Sequence, residues 1–91
     1  MTYNIFNPRT NKKKEFVTIA DARKFAFYLI EQGYRKSVTI KDGNRNYAKV
    51  WKKGYGIVTR RINLYEPYYD EGKIWVLGPD GSLYREYDGW W

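Results

Sequence analysis

The stretch TIADARKFAFYLIEQG, residues 18–33, decides the fold of this chain. Its apolar side chains recur with the period of a helix and fall on one stripe. The residues of that stripe are Ala22, Phe25, Ala26, Leu29 and Ile30. Thr18 can cap the first turn, and Gly33 stands where a left-handed C-terminal cap belongs. We therefore predict one amphipathic helix over about residues 19–32.

Period-two alternation on both sides of this helix predicts β-strands. Residues 2–6 and 14–17 form a hairpin before the helix, and Asp42-Gly43 marks a hairpin turn after it. The strands after the helix are predicted at residues 37–41, 46–52, 57–65, 73–77 and 82–87. The expected fold is one α+β domain over residues 1–91, with an N-terminal β-hairpin, the helix, and a four- to five-stranded antiparallel meander. We expect the helix to pack on one face of that sheet.

The composition argues against catalysis. The chain of 91 residues contains no histidine and no cysteine. Disulfides, zinc sites built on these ligands, thiol nucleophiles and histidine bases are therefore excluded. No pair of carboxylates stands in a recognisable motif for acid-base chemistry. We expect a binding protein that is not an enzyme and has no cofactor and no metal site.

Charge is distributed unevenly along the chain. Residues 1–61 contain 15 basic and 4 acidic residues, a net charge of +11. Residues 62–91 contain 2 basic and 6 acidic residues, a net charge of −4, together with many tyrosines and tryptophans. The sequence therefore predicts a basic body followed by an acidic, aromatic C-terminal third.

Neither a secretory leader nor a membrane span is predicted. The first residues are polar and basic, unlike the apolar core of a signal peptide. The longest apolar run, residues 25–30, is far shorter than the roughly 20 residues that cross a bilayer. We expect a cytoplasmic protein without a membrane partner, either a monomer or a homodimer.

The segment NYAKVWKKGY, residues 46–55, carries the main functional hypothesis. If Ala48 and Val50 point to the core, alternation places aromatic and basic residues together on the opposite face. The residues expected on that face are Tyr47, Lys49, Trp51 and Lys53. Bases stack on such rings while lysines contact phosphates, so DNA or RNA is the preferred partner. Half-buried aromatics that only pack, beside lysines that keep the sheet soluble, are the structural alternative.

The proposed contacts fall into three groups. The stacking residues are Tyr47, Trp51 and Tyr55. The phosphate contacts are Lys49, Lys52, Lys53, Arg60 and Arg61, and one of the two arginines must share the face of Lys49. An outlying basic arm on the first hairpin consists of Arg9, Lys12, Lys13 and Lys14. Lysines on an edge hairpin also protect against edge-to-edge association, which is the alternative explanation for this arm.

A second hypothesis assigns function to the acidic C-terminal third. Tyrosine and tryptophan dominate the hot spots of protein interfaces, and terminal tryptophans either fold back or dock on a partner. The residues of this alternative site are Tyr68, Tyr69, Asp70, Glu71, Trp90 and Trp91. The protein would then be an inhibitor or adaptor of the phage or mobile-element type, for example one that blocks a host nucleoprotein such as a CRISPR effector.

Overall fold

Antiparallel strand pairing organises the part of the chain that the structure, a computed structural model, describes, namely residues 2–62 and 73–87. In chain order the elements are β1 (Tyr3–Asn7), β2 (Lys12–Phe16), α1 (Ile19–Glu31), β3 (Ser37–Asp42), β4 (Arg45–Lys53), β5 (Gly56–Arg61), β6 (Ile74–Leu77) and β7 (Leu83–Glu86). The strands lie in one sheet in the order β2-β1-β3-β4-β5-β6-β7. The predicted α+β fold with an antiparallel sheet and one helix is confirmed.

The sheet is larger than the sequence predicts. The N-terminal hairpin does not stand apart from the meander, because β1 also pairs with β3. The hairpin and the strands after the helix therefore form a single seven-stranded sheet, in place of the expected four or five strands. Pairing between elements so distant in sequence leaves no local signal in either strand.

Helix α1 begins and ends where its capping residues predict. The N-cap Thr18 accepts a hydrogen bond from the Asp21 amide at 3.2 Å. After the C-cap Gln32, Gly33 adopts a φ of +81°, the left-handed conformation that glycine adopts without steric cost. The predicted stripe is the buried one, with the ring of Phe25 at its half-buried margin.

The core lies between α1 and the face of the sheet that we call the helix face. Seven apolar strand residues on this face are fully or almost fully buried, in one hydrophobic cluster with the apolar stripe of α1. They are Ile5, Val38, Ile40, Ala48, Val50, Ile57 and Leu77. The helix contacts β1 to β4 most extensively, so the opposite side of these strands faces away from the core. We call that side the open face.

The turn between β6 and β7 returns to the first turns of the helix. Its main chain closes through a hydrogen bond from the Gly78 amide to the Ser82 carbonyl at 2.9 Å. Asp80 accepts hydrogen bonds from the hydroxyl and the amide of Ser82, which lowers the pKa of this carboxyl. Gly81 is buried, and a Cβ placed on it would collide with the carbonyl oxygen of Ala20. This close approach joins the last hairpin to α1.

Gly81→Ala is expected to destabilise the protein strongly. The substitution adds a clash with the Ala20 backbone to the strain of a φ of +86°, so the free energy of unfolding falls by about 3 kcal/mol or more. Gly43→Ala is the matched control, because Gly43 has a φ of +61° with no atom within 4 Å of the added Cβ. Its loss is about 1 kcal/mol. Urea denaturation measures both values, and equal losses would contradict the packing of this turn on the helix.

Candidate nucleic-acid interface

The open face of the sheet carries a group of basic side chains. Strand register places them there, because paired residues point to the same side of a sheet and Thr39, Lys49 and Arg60 face one another across β3, β4 and β5. The basic residues of the open face are Lys13, Lys41, Lys49, Lys53, Arg60 and Arg85. Among the strand residues described, Glu15 is the sole carboxylate on this side. The face is therefore strongly positive.

Trp51 lies within this basic surface. Its ring is half-buried, and the Lys49 ammonium lies 5.8 Å from the ring centroid. On the same face the ammonium of Lys53 lies 5.5 Å from the ring centroid of Tyr87. Each of these two rings thus has a cation beside it. This arrangement matches the alternation of basic and aromatic residues in the sequence.

The same tryptophan also has a structural role. Trp51 is paired with Val58, which is fully buried on the open face, and Val58 is paired in turn with Val76, which is 8% exposed. Both valines lie on the side of the sheet opposite the helix. Trp51 therefore borders a small apolar patch there, and removing its ring affects stability as well as any ligand contact.

The prediction that Tyr47 shares the face of Lys49 and Trp51 is wrong. Between Ile40 and Lys41 the register with β4 shifts by one residue, so Tyr47 is an extra residue in its strand. Such a β-bulge interrupts the alternation of side chains along β4, so the side chain of Tyr47 points to the same side as that of its neighbour Ala48. Tyr47 consequently packs against the core on the helix face.

Tyr47 belongs to a polar and aromatic cluster at the end of the helix face. Its ring meets that of Tyr3 edge-on at 5.2 Å, and the Arg61 guanidinium lies 5.5 Å from it. Burial raises the pKa of the Tyr3 hydroxyl, with smaller contributions from Tyr47 and Asp42. Burial also lowers the pKa of Arg23, which is half-buried beside the two tyrosines. These contacts give Tyr47 a packing role, whereas Arg61 is exposed on the helix face beside this ring.

The two arginines of β5 point to opposite faces, as expected for consecutive strand residues. Arg60 is paired with Lys49 on the open face, whereas Arg61 is paired with Ala48 on the helix face. Lys52 is paired with the core residue Ile57 and therefore also points to the helix face. Arg60 is thus the arginine that shares the face of Lys49.

The basic residues predicted at the tip of the first hairpin also point to different faces of the sheet. Lys13 points to the open face, while Lys12 and Lys14 point to the helix face. The Arg9 guanidinium donates a hydrogen bond to the Tyr28 hydroxyl at 3.0 Å and lies 5.2 Å from the ring of Tyr34. The predicted outlying arm is therefore not a single unit.

Lys14 and Tyr55 complete the placement of the predicted residues. The Lys14 ammonium lies 4.8 Å from the ring of Phe25 on the helix, so this lysine contacts the aromatic margin of α1. Tyr55 lies in the turn between β4 and β5 and is 94% exposed. It belongs to neither strand.

Two basic residues of the open face escaped the sequence analysis. Lys41 follows Thr39 by two positions in β3, so its place on the open face could have been found by alternation. Arg85 faces this side through its pairing with Val76, and a bulge between Val76 and Leu77 makes that register unreadable from the sequence. The alternative site at Tyr68, Tyr69, Asp70, Glu71, Trp90 and Trp91 lies outside the described residues.

Neither a metal-ligand cluster among the described residues nor a similarity to a known protein assigns another function to this chain. Within residues 2–62 and 73–87 no three acidic, histidine or cysteine side chains gather as metal ligands would. The described helix is too short and too polar to cross a membrane. No protein-family model, curated protein or solved structure matches this chain.

Substituting Tyr47 tests the corrected position of this residue. We expect Tyr47→Ala to lower the free energy of unfolding by about 2 kcal/mol, because the ring packs on the core. Tyr55→Ala serves as the control, since a ring that is 94% exposed contributes at most about 0.5 kcal/mol. Chemical denaturation followed by circular dichroism gives both numbers. A Tyr47 variant as stable as the Tyr55 variant would place Tyr47 on the surface instead.

Proposed function

We propose that this protein is a non-catalytic module that binds nucleic acid through the open face of its sheet. The observation that carries the proposal is the accumulation of basic side chains around Trp51, with Glu15 as the one carboxylate among the described strand residues of that face. The proposed phosphate contacts are Lys13, Lys41, Lys49, Lys53, Arg60 and Arg85. The proposed stacking platforms are Trp51 and Tyr87.

Counterion release would supply the electrostatic part of the binding free energy. A surface with cations on adjacent strands about 4.8 Å apart collects counterions, and phosphates that displace them gain the entropy of their release. The acidic residues of the described chain lie mainly elsewhere. Asp21 and Glu31 lie on the helix, and Glu86 forms an ion pair with Lys73 at 3.7 Å. Among the described residues, the four lysines of the open face, Lys13, Lys41, Lys49 and Lys53, have no ion-pair partner.

The exposed side of the half-buried Trp51 ring would provide the stacking surface for a base. The Lys49 ammonium now lies 5.8 Å from this ring. A base that stacks on the ring would displace the ammonium, which can then contact the adjacent phosphate. Stacking of this kind is worth about 1–3 kcal/mol per base and tolerates any sequence. The proposal therefore favours unpaired bases and little base specificity.

Variants of the open face separate stacking from phosphate contact. Trp51→Ala is expected to weaken binding to a labelled single strand about tenfold with little change in the salt slope. The double variant Lys49→Gln/Lys53→Gln is expected to reduce the slope of log K against log salt by about 1.4. Fluorescence anisotropy from about 50 to 200 mM salt measures both quantities.

Lys12→Gln/Lys52→Gln is the matched control, because it removes the same charge from the helix face. We expect its effect on the slope to be clearly smaller than that of Lys49→Gln/Lys53→Gln. Trp51→Phe is measured beside Trp51→Ala, because it keeps an aromatic ring. The comparison separates a loss of stability from a loss of stacking. Equal effects of the two lysine pairs would contradict the assignment of the open face, and absence of binding at about 50 mM salt would refute the function.

A groove beside the last hairpin favours protein binding as a second candidate function. It has a volume of about 590 Å³ and lies between the end of α1 and strands β5 to β7. Buried Ile57 and Leu77 contribute to its lining, while Tyr55 and Tyr84 line it with rings that are 94% and 72% exposed. Exposed tyrosines around an apolar floor are typical of interface hot spots.

The second candidate predicts binding to a host nucleoprotein such as a CRISPR effector without a requirement for the open face. Tyr55→Ala/Tyr84→Ala is expected to weaken that binding about thirtyfold or more, whereas Lys49→Gln/Lys53→Gln leaves it nearly unchanged. Biolayer interferometry with the purified nucleoprotein measures these affinities. Equal affinity of the tyrosine variant and the wild type would exclude this groove.

A further inference from the structure

Strands β1 and β3 pair over only part of their length. The pairs are Tyr3 with Asp42 and Asn4 with Lys41, and beyond them the two strands separate. Continued register would bring Phe6 opposite Thr39, but a cleft of about 260 Å³ opens there instead. We call it the seam cleft. The cleft lies in the gap between the two strands: Ile5 and Val38 line it from the helix face, whereas the side chains of Asn4, Phe6, Thr39 and Lys41 line it from the open face.

The seam cleft is closed at one end and is lined by both polar and apolar groups. At the closed end Asn4 is 7% exposed, and its side-chain amide donates a hydrogen bond to the Gly43 carbonyl at 2.9 Å. Strand residues alternate in the side to which they direct their N–H and C=O groups, so the separated stretch turns main-chain polar groups of both strands towards the cleft. The hydroxyl-bearing residue Thr39 lines it as well.

Three cations line this cleft. Lys13 comes from β2, Arg35 from the connection between α1 and β3, and Lys41 from β3. Within residues 2–62 and 73–87 none of the three has an ion-pair partner, and no carboxylate lines the cleft. Three cations without an ion-pair partner among the described residues, around one small cleft, favour an anionic ligand.

We propose that the seam cleft binds a phosphate monoester, namely the terminal phosphate of a nucleic-acid strand that lies on the open face. This inference rests on the proposed function. A monoester carries a charge of about −1.5 to −2 at pH 7, whereas each internal phosphodiester carries a single negative charge, so three cations favour the terminal group. The closed end at Asn4 also suits a strand terminus better than a strand that passes through.

The dimensions of the cleft agree with this ligand. A volume of about 260 Å³ is below the roughly 300–1,000 Å³ of drug-sized sites, so it accommodates one phosphate group and not a whole ligand of that size. Phe6 lines the cleft and is 45% exposed. Its ring is therefore available to the sugar or base that follows the terminal phosphate. Thr39 is paired with Lys49 on β4, so this lysine lies one strand away from the cleft on the open face.

The first test compares oligonucleotides that differ only in a 5′-phosphate or a 3′-phosphate. For the wild type we expect one phosphorylated form to bind about tenfold more tightly than the unphosphorylated strand, as one added charge-assisted contact provides. The double variant Lys13→Gln/Lys41→Gln and the single variant Arg35→Gln are expected to reduce this ratio to near one. Equal binding of all three strands by the wild type would overturn end recognition.

Neighbouring residues supply the controls. Lys36→Gln removes the same charge as Arg35→Gln one residue further along the chain, and Lys12→Gln does so beside Lys13, although neither residue lines the cleft. Both controls are expected to keep the tenfold ratio. Controls that lose the ratio as strongly as Arg35→Gln would show that overall charge, and not the cleft, distinguishes the strands.

The second test uses inorganic phosphate and is independent of nucleic-acid binding. Nuclear magnetic resonance is expected to show saturable shifts at the amides of Thr39 and Lys41 in the wild type and not in Lys13→Gln/Lys41→Gln. Such shifts without any oligonucleotide binding would refute the proposed function and identify the cleft as a site for free phosphate. Absence of these shifts would overturn the cleft as an anion site, even if the open face binds strands.

Discussion

The burial of Ala48 and Val50 beneath the helix is the constraint on which the rest of the structure depends. Both are almost fully inaccessible, and each is paired with a core residue on β3. Because side chains alternate along a strand, this burial directs Lys49 and Trp51 outwards. The positive surface of the open face is thus a geometric result of core packing, and no separate structural element builds it.

Local sequence patterns account for a large part of this architecture. The helix is predictable because its period, N-cap and glycine terminus agree, and Lys49 and Trp51 are predictable from alternation with buried neighbours. The position of Tyr47 is not predictable, since nothing in β4 itself reveals the bulge that turns it to the core. The pairing of β1 with β3 also depends on contacts across the whole helix, which short-range patterns do not record.

Basic residues on the helix face and on the open face have different surroundings. Arg9 and Arg61 lie beside tyrosine rings at 5.2 and 5.5 Å, and both residues are exposed. On the open face Lys13 and Lys41 have no ion-pair partner among the residues described. The net charge of +7 alone does not show how many cations lie on the open face. Strand register determines how the cations are divided between the two faces.

The approach of Gly81 to Ala20 has a consequence for how the chain folds. These residues lie near opposite ends of the sequence, so their contact closes a very long loop, and the entropy of closing it is offset only when most of the sheet has already formed. During synthesis the helix leaves the ribosome before the hairpin that covers its first turns. The nascent chain therefore carries an incompletely covered helix until β7 has been made.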